Sequence, residues 1–345
     1  MSVISNSDQT LTGTDLTDRK QQIINQIQES LPFKIQQTNA WQSTYWGKGV
    51  GAFQIHGLWL GQEPPVPAIV KIQGSRPQLS EPEIIALFNQ QNQSQLIQAP
   101  QVLHWQPWDP QLQYELYVFR KYQAKFIVNP GQLATTSQLE EFFRLYQEYL
   151  LKAVTQPFLP RPQKVVTLQQ HFDKWRQIRL SHPHKHWVTE TEDKLLQTYA
   201  DTLSQRLQSL PLRFQHAHLS IHDLKRSPSH YLIFSHLFWR WHLPVADSFF
   251  AAHWHVLGLA HLSVSTIKQQ YKLWRKYSWQ AVKHNSKLNQ LYTSQLRYYH
   301  QLTVVERLLA ALNLDLVMLH SHSQANKIKQ ALWPELKQAF LTLPS

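Results

Sequence analysis

Cysteine is absent from all 345 residues, which removes disulfide frameworks, thiolate metal sites and cysteine nucleophiles together. Glycine is scarce, with 9 in the chain, so a place where glycines gather is a place where the backbone is being specified. No stretch approaches the roughly 18 consecutive apolar residues of a membrane-spanning helix. The opening MSVISNSDQTLTGTDLTDRK lacks a basic start followed by an apolar run. The expectation is a soluble, cytoplasmic chain with no membrane partner. Acid is also short, 22 Asp and Glu against 34 Lys and Arg, for a formal charge of +12. That balance favours anionic partners. The basic residues are dispersed, without a zinc-finger or RNA-recognition pattern, so no specific nucleic acid is expected.

What the chain does have is apolar surface: 42% hydrophobic residues and 13 Trp, far more than a disordered chain carries. At this length two packed lobes or one large α+β unit are expected. Residues 1–13 read as a flexible tail. Ile23, Ile24, Ile27 and Leu31 then lie at helical spacing. From Trp41 to Leu60 aromatic and β-branched residues broken by glycine predict a hairpin, and Ala68–Ile72 a buried strand. Ser80 with Glu83 three residues on predicts a capping box. Two strands near 101–105 and 114–120 complete an N-terminal half spanning 14–122. Residues 123–345 read as helical, with helices near 137–153, 168–180, 189–210, 245–259, 265–284, 286–312 and 324–341, interrupted by short strands around 214–235. This is an α+β chain with a boundary near 123.

Candidate chemistry falls in three places. Gly47, Gly49 and Gly51 sit two apart, which lets backbone N–H groups approach an anion, although a tight turn with a bulge explains them equally. Lys71 is a charge inside the apolar run Ile69–Ile72, and burying it calls for a carboxylate or an anionic ligand. Glu83 is its natural partner, unless it serves only as a cap; Glu81 is the fallback. The segment Phe214–Lys225 holds His216, His218, His222 and Asp223. His216 and His218 would project alike from an extended segment, as metal ligands do. With 19 histidines in the chain, ordinary core and surface roles account better for such pairs than zinc does.

These segments, in this order from Trp41 to His261, resemble the aminoglycoside/choline phosphotransferase family of the protein-kinase-like fold. The family motif H-G-D-L-H-x-x-N-[ILV] is matched by His216-Ala217-His218-Leu219-Ser220-Ile221-His222-Asp223-Leu224. The following strand ending in I-D-[FW] is matched by Tyr231-Leu232-Ile233-Phe234-Ser235-His236, and P-x-x-D by Pro244-Val245-Ala246-Asp247. The resemblance implies a small antiparallel-sheet lobe and a large helical lobe. It makes Gly47–Gly51 a phosphate-covering hairpin, Lys71 with Glu83 a phosphate-positioning pair, and Tyr114–Tyr122, with Phe119, the connection that holds an adenine. It makes Asp247 a structural acid and places His216 at the motif's first histidine.

The departures bear on function. The family's hydroxyl-orienting aspartate is replaced by His218, its magnesium aspartate by Ser235, and its metal-binding asparagine by Asp223. Phosphoryl transfer rests on positioning and on metal-ion charge, and a neutral hydroxyl brings no charge to a hard cation. The expected protein is a catalytically impaired pseudo-phosphotransferase that binds a nucleotide, a metabolite or a protein, with ATP and Mg2+ held weakly or not at all. The alternative is an active ATP-dependent small-molecule phosphotransferase with Asp223 as metal ligand and His218 as base. A basic interaction protein that kept only the fold is the third reading. An aromatic cage from Trp239, Trp241, Trp254, Trp274, Tyr298 and Tyr299 is conceivable, but aromatics at helical spacing are more often core.

Overall fold

A computed structural model describes residues 13–37, 42–43, 51–74, 78–162, 167–182, 187–207, 212–319 and 321–343. In chain order its elements are α1 (Gly13–Ser30), β1 (Phe33–Gln37), β2 (Gln42–Ser43), β3 (Ala52–Trp59), β4 (Val66–Gln73), α2 (Glu81–Gln91), β5 (Ile97–Gln98), β6 (Val102–Asp109), β7 (Tyr114–Arg120) and β8 (Lys125–Phe126). There follow α3 (Thr136–Glu148), α4 (Leu168–Ser181), α5 (Glu190–Leu207), β9 (Arg213–Gln215), β10 (Leu224–Arg226), β11 (Tyr231–Ile233), β12 (Arg240–His242), α6 (Asp247–Gly258), α7 (Val264–Lys283), α8 (Ser286–Tyr292), α9 (Leu296–Asn313) and α10 (His322–Leu341).

The chain folds into two units. The first runs through Gln90, resumes over Gln98–Ala124 and takes in Ser227–Leu237; the second holds Gln91–Ile97, Lys125–Arg226 and Phe238–Ser345. The segment that matches the family's metal motif clusters with the N-terminal unit, because β11 returns there.

The first unit is built on an antiparallel sheet of order β1-β3-β4-β7-β6, with short β2 against β3. Period-2 alternation gives the sheet two different faces. Phe53, Ile55, Val70, Ile72, Leu116 and Val118 form one face and join Ile23, Ile24 and Ile27 of α1 in a core. Each fully buried isoleucine in such a core contributes roughly 2 kcal/mol. Gln54, Lys71, Gln73, Glu115 and Tyr117 share the opposite face by register. Alternation in Val66–Gln73 thus sets Lys71 away from the core that its neighbours fill.

The second unit is helical around α9, whose residues Leu302–Asn313 are buried on every side. That all-round burial makes α9 a central helix, and α4, α5, α6, α7 and α10 pack on it. α3 continues into a single π-helical turn, Tyr149–Ala153. β9 pairs with β12, and β10 with β8. The stretch 286–312, predicted as one helix, is two: α8 ends where Thr293 takes φ 41°, and α9 starts at Leu296. No helix of the described residues is long and apolar enough to cross a membrane.

Candidate active site

In the first unit Lys71 meets Glu81, not Glu83. Its Nζ lies 2.5 Å from Glu81 Oε2, with the two side chains 16% and 4% exposed. The reason is the start of α2. Ser80 caps the helix: Glu83 N donates to Ser80 Oγ at 3.3 Å and Ser80 N donates to Glu83 Oε2 at 2.7 Å. The capping box holds the Glu83 carboxylate at the helix end, while Glu81, two residues earlier, reaches Lys71 of β4. Tyr117 OH donates to Glu81 Oε2 at 2.6 Å and the His236 backbone N–H to Oε1 at 3.0 Å. Burial alone would raise the Glu81 pKa, but Lys71, Tyr117 and His236 outweigh it and hold it below the usual carboxylate range. Glu115, 2% exposed, sits on the same sheet face, and its Oε1 has no hydrogen-bond partner. Burial, followed by the charges of Glu81 and Glu83 against that of Lys71, pushes its pKa up to about 7.

Gly47 and Gly49 lie outside the described residues. Gly51 takes φ 68°, a conformation glycine adopts without strain, and its carbonyl accepts from Gly74 N. Phe119 is not part of a free connection. It stands in register with Ile69 and Val102 inside the sheet, and the Arg120 and Lys121 N–H groups are bound to Gln101 O and Pro67 O.

In the second unit His218 and Asp223 come together. His218 Nδ1 lies 3.1 Å from Asp223 Oδ2, and the same oxygen accepts from Ser220 N at 2.9 Å and Ser220 Oγ at 2.5 Å. Asp223 is 2% exposed. Burial would raise its pKa, yet the His218 charge and these hydrogen bonds hold it far below the usual range. The His218 ring stacks on Phe238 with centroids 4.0 Å apart and is flanked by Phe250 at 4.5 Å and Trp254 at 5.8 Å. Trp239, Trp274 and Tyr299 are buried core.

His216 acts on this pair through its charge, which also lowers the Asp223 pKa. It is fully buried, and its backbone N–H donates to Tyr149 OH at 2.7 Å, while that hydroxyl donates to Asp247 Oδ2 at 2.7 Å. Asp247 thereby ties the loop to the start of α6. Its pKa rises to about 6, by burial, against the Tyr149 hydrogen bond. Ser235 belongs to the first unit. Each motif segment contains one non-glycine residue in the left-handed region: Ala217 at φ 56°, Ser235 at 61° and Val245 at 59°. Such backbone costs about 1 kcal/mol or more per residue and persists only where its surroundings hold it. Among the described residues, no group of three His, Asp or Glu side chains is placed to hold a metal ion.

Sequence reasoning missed Tyr117, Tyr149 and Phe238. The two-residue spacing of Glu115 and Tyr117 did signal a shared face. Nothing in the sequence announced the π-helical turn that delivers Tyr149.

No family model and no curated protein matches the sequence. Solved structures do. A choline kinase from Cryptosporidium parvum superposes with a TM-score of 0.55 at 13% identity, covering 94% of this chain and 98% of that one. The aminoglycoside phosphotransferase APH(4)-Ia gives 0.53 at 10% identity, covering 94% and 99%. A thermostable mutant of that enzyme, in ternary complex with ADP and hygromycin B, gives 0.51 at 11%, covering 93% and 98%. The chain has the two-lobed α+β, kinase-like fold of the choline kinases and aminoglycoside phosphotransferases.

Proposed function

We propose that this is a pseudo-phosphotransferase, a kinase-fold protein that binds a nucleotide but transfers phosphate poorly or not at all. One observation carries the reading: Asp223 Oδ2 already accepts from His218, Ser220 N and Ser220 Oγ. A carboxylate so held is a poor ligand for magnesium, which demands near-ideal octahedral geometry and gives up its waters reluctantly. Ser235 keeps a left-handed backbone without an acid to present. The residues present therefore do not fit the magnesium that phosphoryl transfer uses. Lys71 with Glu81 does fit the phosphate-positioning pair.

The test is a calorimetric titration with ATP, with and without magnesium. The reading expects binding that weakens about tenfold or more in Lys71→Ala, the loss of one charge-assisted contact, and that magnesium strengthens little. ATP binding that is absent, or unaffected by Lys71→Ala, rejects it. One feature favours an active enzyme instead: a carboxylate on His218 Nδ1 fixes the tautomer that leaves Nε2 as an acceptor, the arrangement of a general base. That reading requires turnover that vanishes in Asp223→Ala.

A further inference from the structure

The β9–β12 ribbon has one face on which buried cationic donors lack acceptors. Arg240 stands opposite Gln215, and His242 opposite Arg213. Directly paired residues point to the same side, so these four polar side chains share a face. Phe214 and Trp241 share the other, where Phe214 stacks on Trp239 and meets Phe158 edge-on at 4.7 Å. On the polar face Gln215 donates to Leu243 O and accepts from Asp247 N, and Arg213 bonds the Tyr292 hydroxyl, but the cations are only partly satisfied. Arg240 Nε, Arg213 Nη1 and His242 Nδ1 are shut off from solvent without a hydrogen-bond acceptor. Among the described residues Arg176, Arg179, Arg226 and Arg307 have carboxylate partners in close ion pairs, and neither Arg213 nor Arg240 has one.

A guanidinium cannot shed its proton and offers five donors and no acceptor. Taking it out of water without an anion is costly. Its surroundings add to the positive field. Arg307 of α9 is 7% exposed. Burial first, then the charge of Arg240, holds His242 well below the usual histidine range and His171 of α4 at about 4. Two buried carboxylates bear on Arg240, Glu306 and Asp247; each has one unpartnered oxygen, Oε2 and Oδ1, and burial raises the pKa of both. Neither forms an ion pair with Arg213 or Arg240 among the described residues.

We propose that this ribbon face, with Arg240, Arg213 and His242 as donors and Arg307 beside them, is a binding site for a small molecule carrying an oxyanion, a phosphate ester or a carboxylate. The diagonal between Arg213 and Arg240 spans about 7–8 Å at the backbone, well within the convergence of two long side chains on one oxyanion. Gln215 leads directly into His216–His218, so the bound molecule sits at the root of the motif loop. A ligand chosen this way is opposite in charge to a quaternary ammonium or an aminoglycoside, and its binding does not depend on a nucleotide.

The test uses the full-length protein, nucleotide-free, with thermal unfolding followed while inorganic phosphate or citrate replaces chloride at constant ionic strength. The wild type is expected to show a saturable rise in Tm with one of the two, phosphate saturation indicating a phosphate ligand and citrate saturation a carboxylate. In Arg240→Gln the half-saturating concentration should rise about tenfold or more. Lys276→Gln, the same charge change at an exposed position of α7, should leave it unaltered. Arg213→Gln gives the same readout should Arg240→Gln fail to fold. Wild-type shifts no larger than those in chloride overturn the proposal. So does an Arg240→Gln protein that is less stable without anion yet saturates at the same concentration as the wild type, since Arg240 would then be a structural cation and not a ligand of the anion.

Discussion

A single position decides which acid meets Lys71. Glu81 and Glu83 are two residues apart, chemically near-equal, and differ only in where the helix starts. Ser80 as N-cap turns Glu83 back onto the helix end and leaves Glu81 at the sheet. The two mutants should therefore separate. Glu81→Gln leaves Lys71 buried against a neutral amide and should destabilise by about 3 kcal/mol, the cost of breaking a buried pair. Glu83→Gln removes only a cap contact and should cost about 1 kcal/mol or less. Urea denaturation distinguishes them, and equal effects would contradict the assignment. Residue-scale departures also recur in the backbone. Ala217 takes φ 56°, a conformation that glycine would adopt without strain.

At the scale of elements, what was legible in the sequence was what local chemistry dictates. The isoleucines of α1, the alternation of β4 and the Ser80 capping box announced themselves, because each is set by neighbours within a few residues. The order and spacing of the three motif matches carried the fold. What was not legible needed register or a distant partner. β1 is only five residues, and Phe33 and Ile35 alternate too briefly to stand out beside the helix before them. The strand at 114–120 was legible and is β7, but the bonds that close its end, from Arg120 N to Gln101 O and from Lys121 N to Pro67 O, were not. The break between α8 and α9 had no glycine or proline to mark it. Thr293 is exposed and takes φ 41°, ψ −119°, which a β-branched residue tolerates poorly. Thr293→Gly should thus stabilise the protein by about 1 kcal/mol, against the usual cost of a helix-region glycine. Chemical denaturation checks it, and a loss of stability would mean that the strain is absent.

The molecule as a whole carries an unusual load of buried imidazole. Burial lowers the pKa of His300 to about 3, and of His255 and His171 to about 4. The unfolded chain takes up protons at these sites near pH 6.5 and the folded one only near 3 to 4. Below about 6.5 the unfolded state therefore binds more protons, and stability falls as pH falls toward 3. The prediction is a monotonic drop in unfolding free energy from pH 6.5 to 4, flattened in His300→Gln. Glu115 and Asp247, whose pKa values burial raises to about 7 and about 6, act in the opposite sense, so the decisive comparison is with the variant: a drop as steep in His300→Gln as in the wild type would show that the His300 ring is solvated.

The central claim is that the fold persists while its phosphoryl-transfer chemistry does not, because Asp223 is committed to His218 and Ser220 and Ser235 has no charge to offer. The most direct measurement is turnover by the purified protein with ATP, magnesium and a panel of aminoglycosides, choline, ethanolamine, sugars and homoserine, monitored by ADP release. The account predicts a rate at background for every acceptor, in the wild type and in Asp223→Ala alike. Phosphorylation of any panel member, lost in Asp223→Ala, would contradict it.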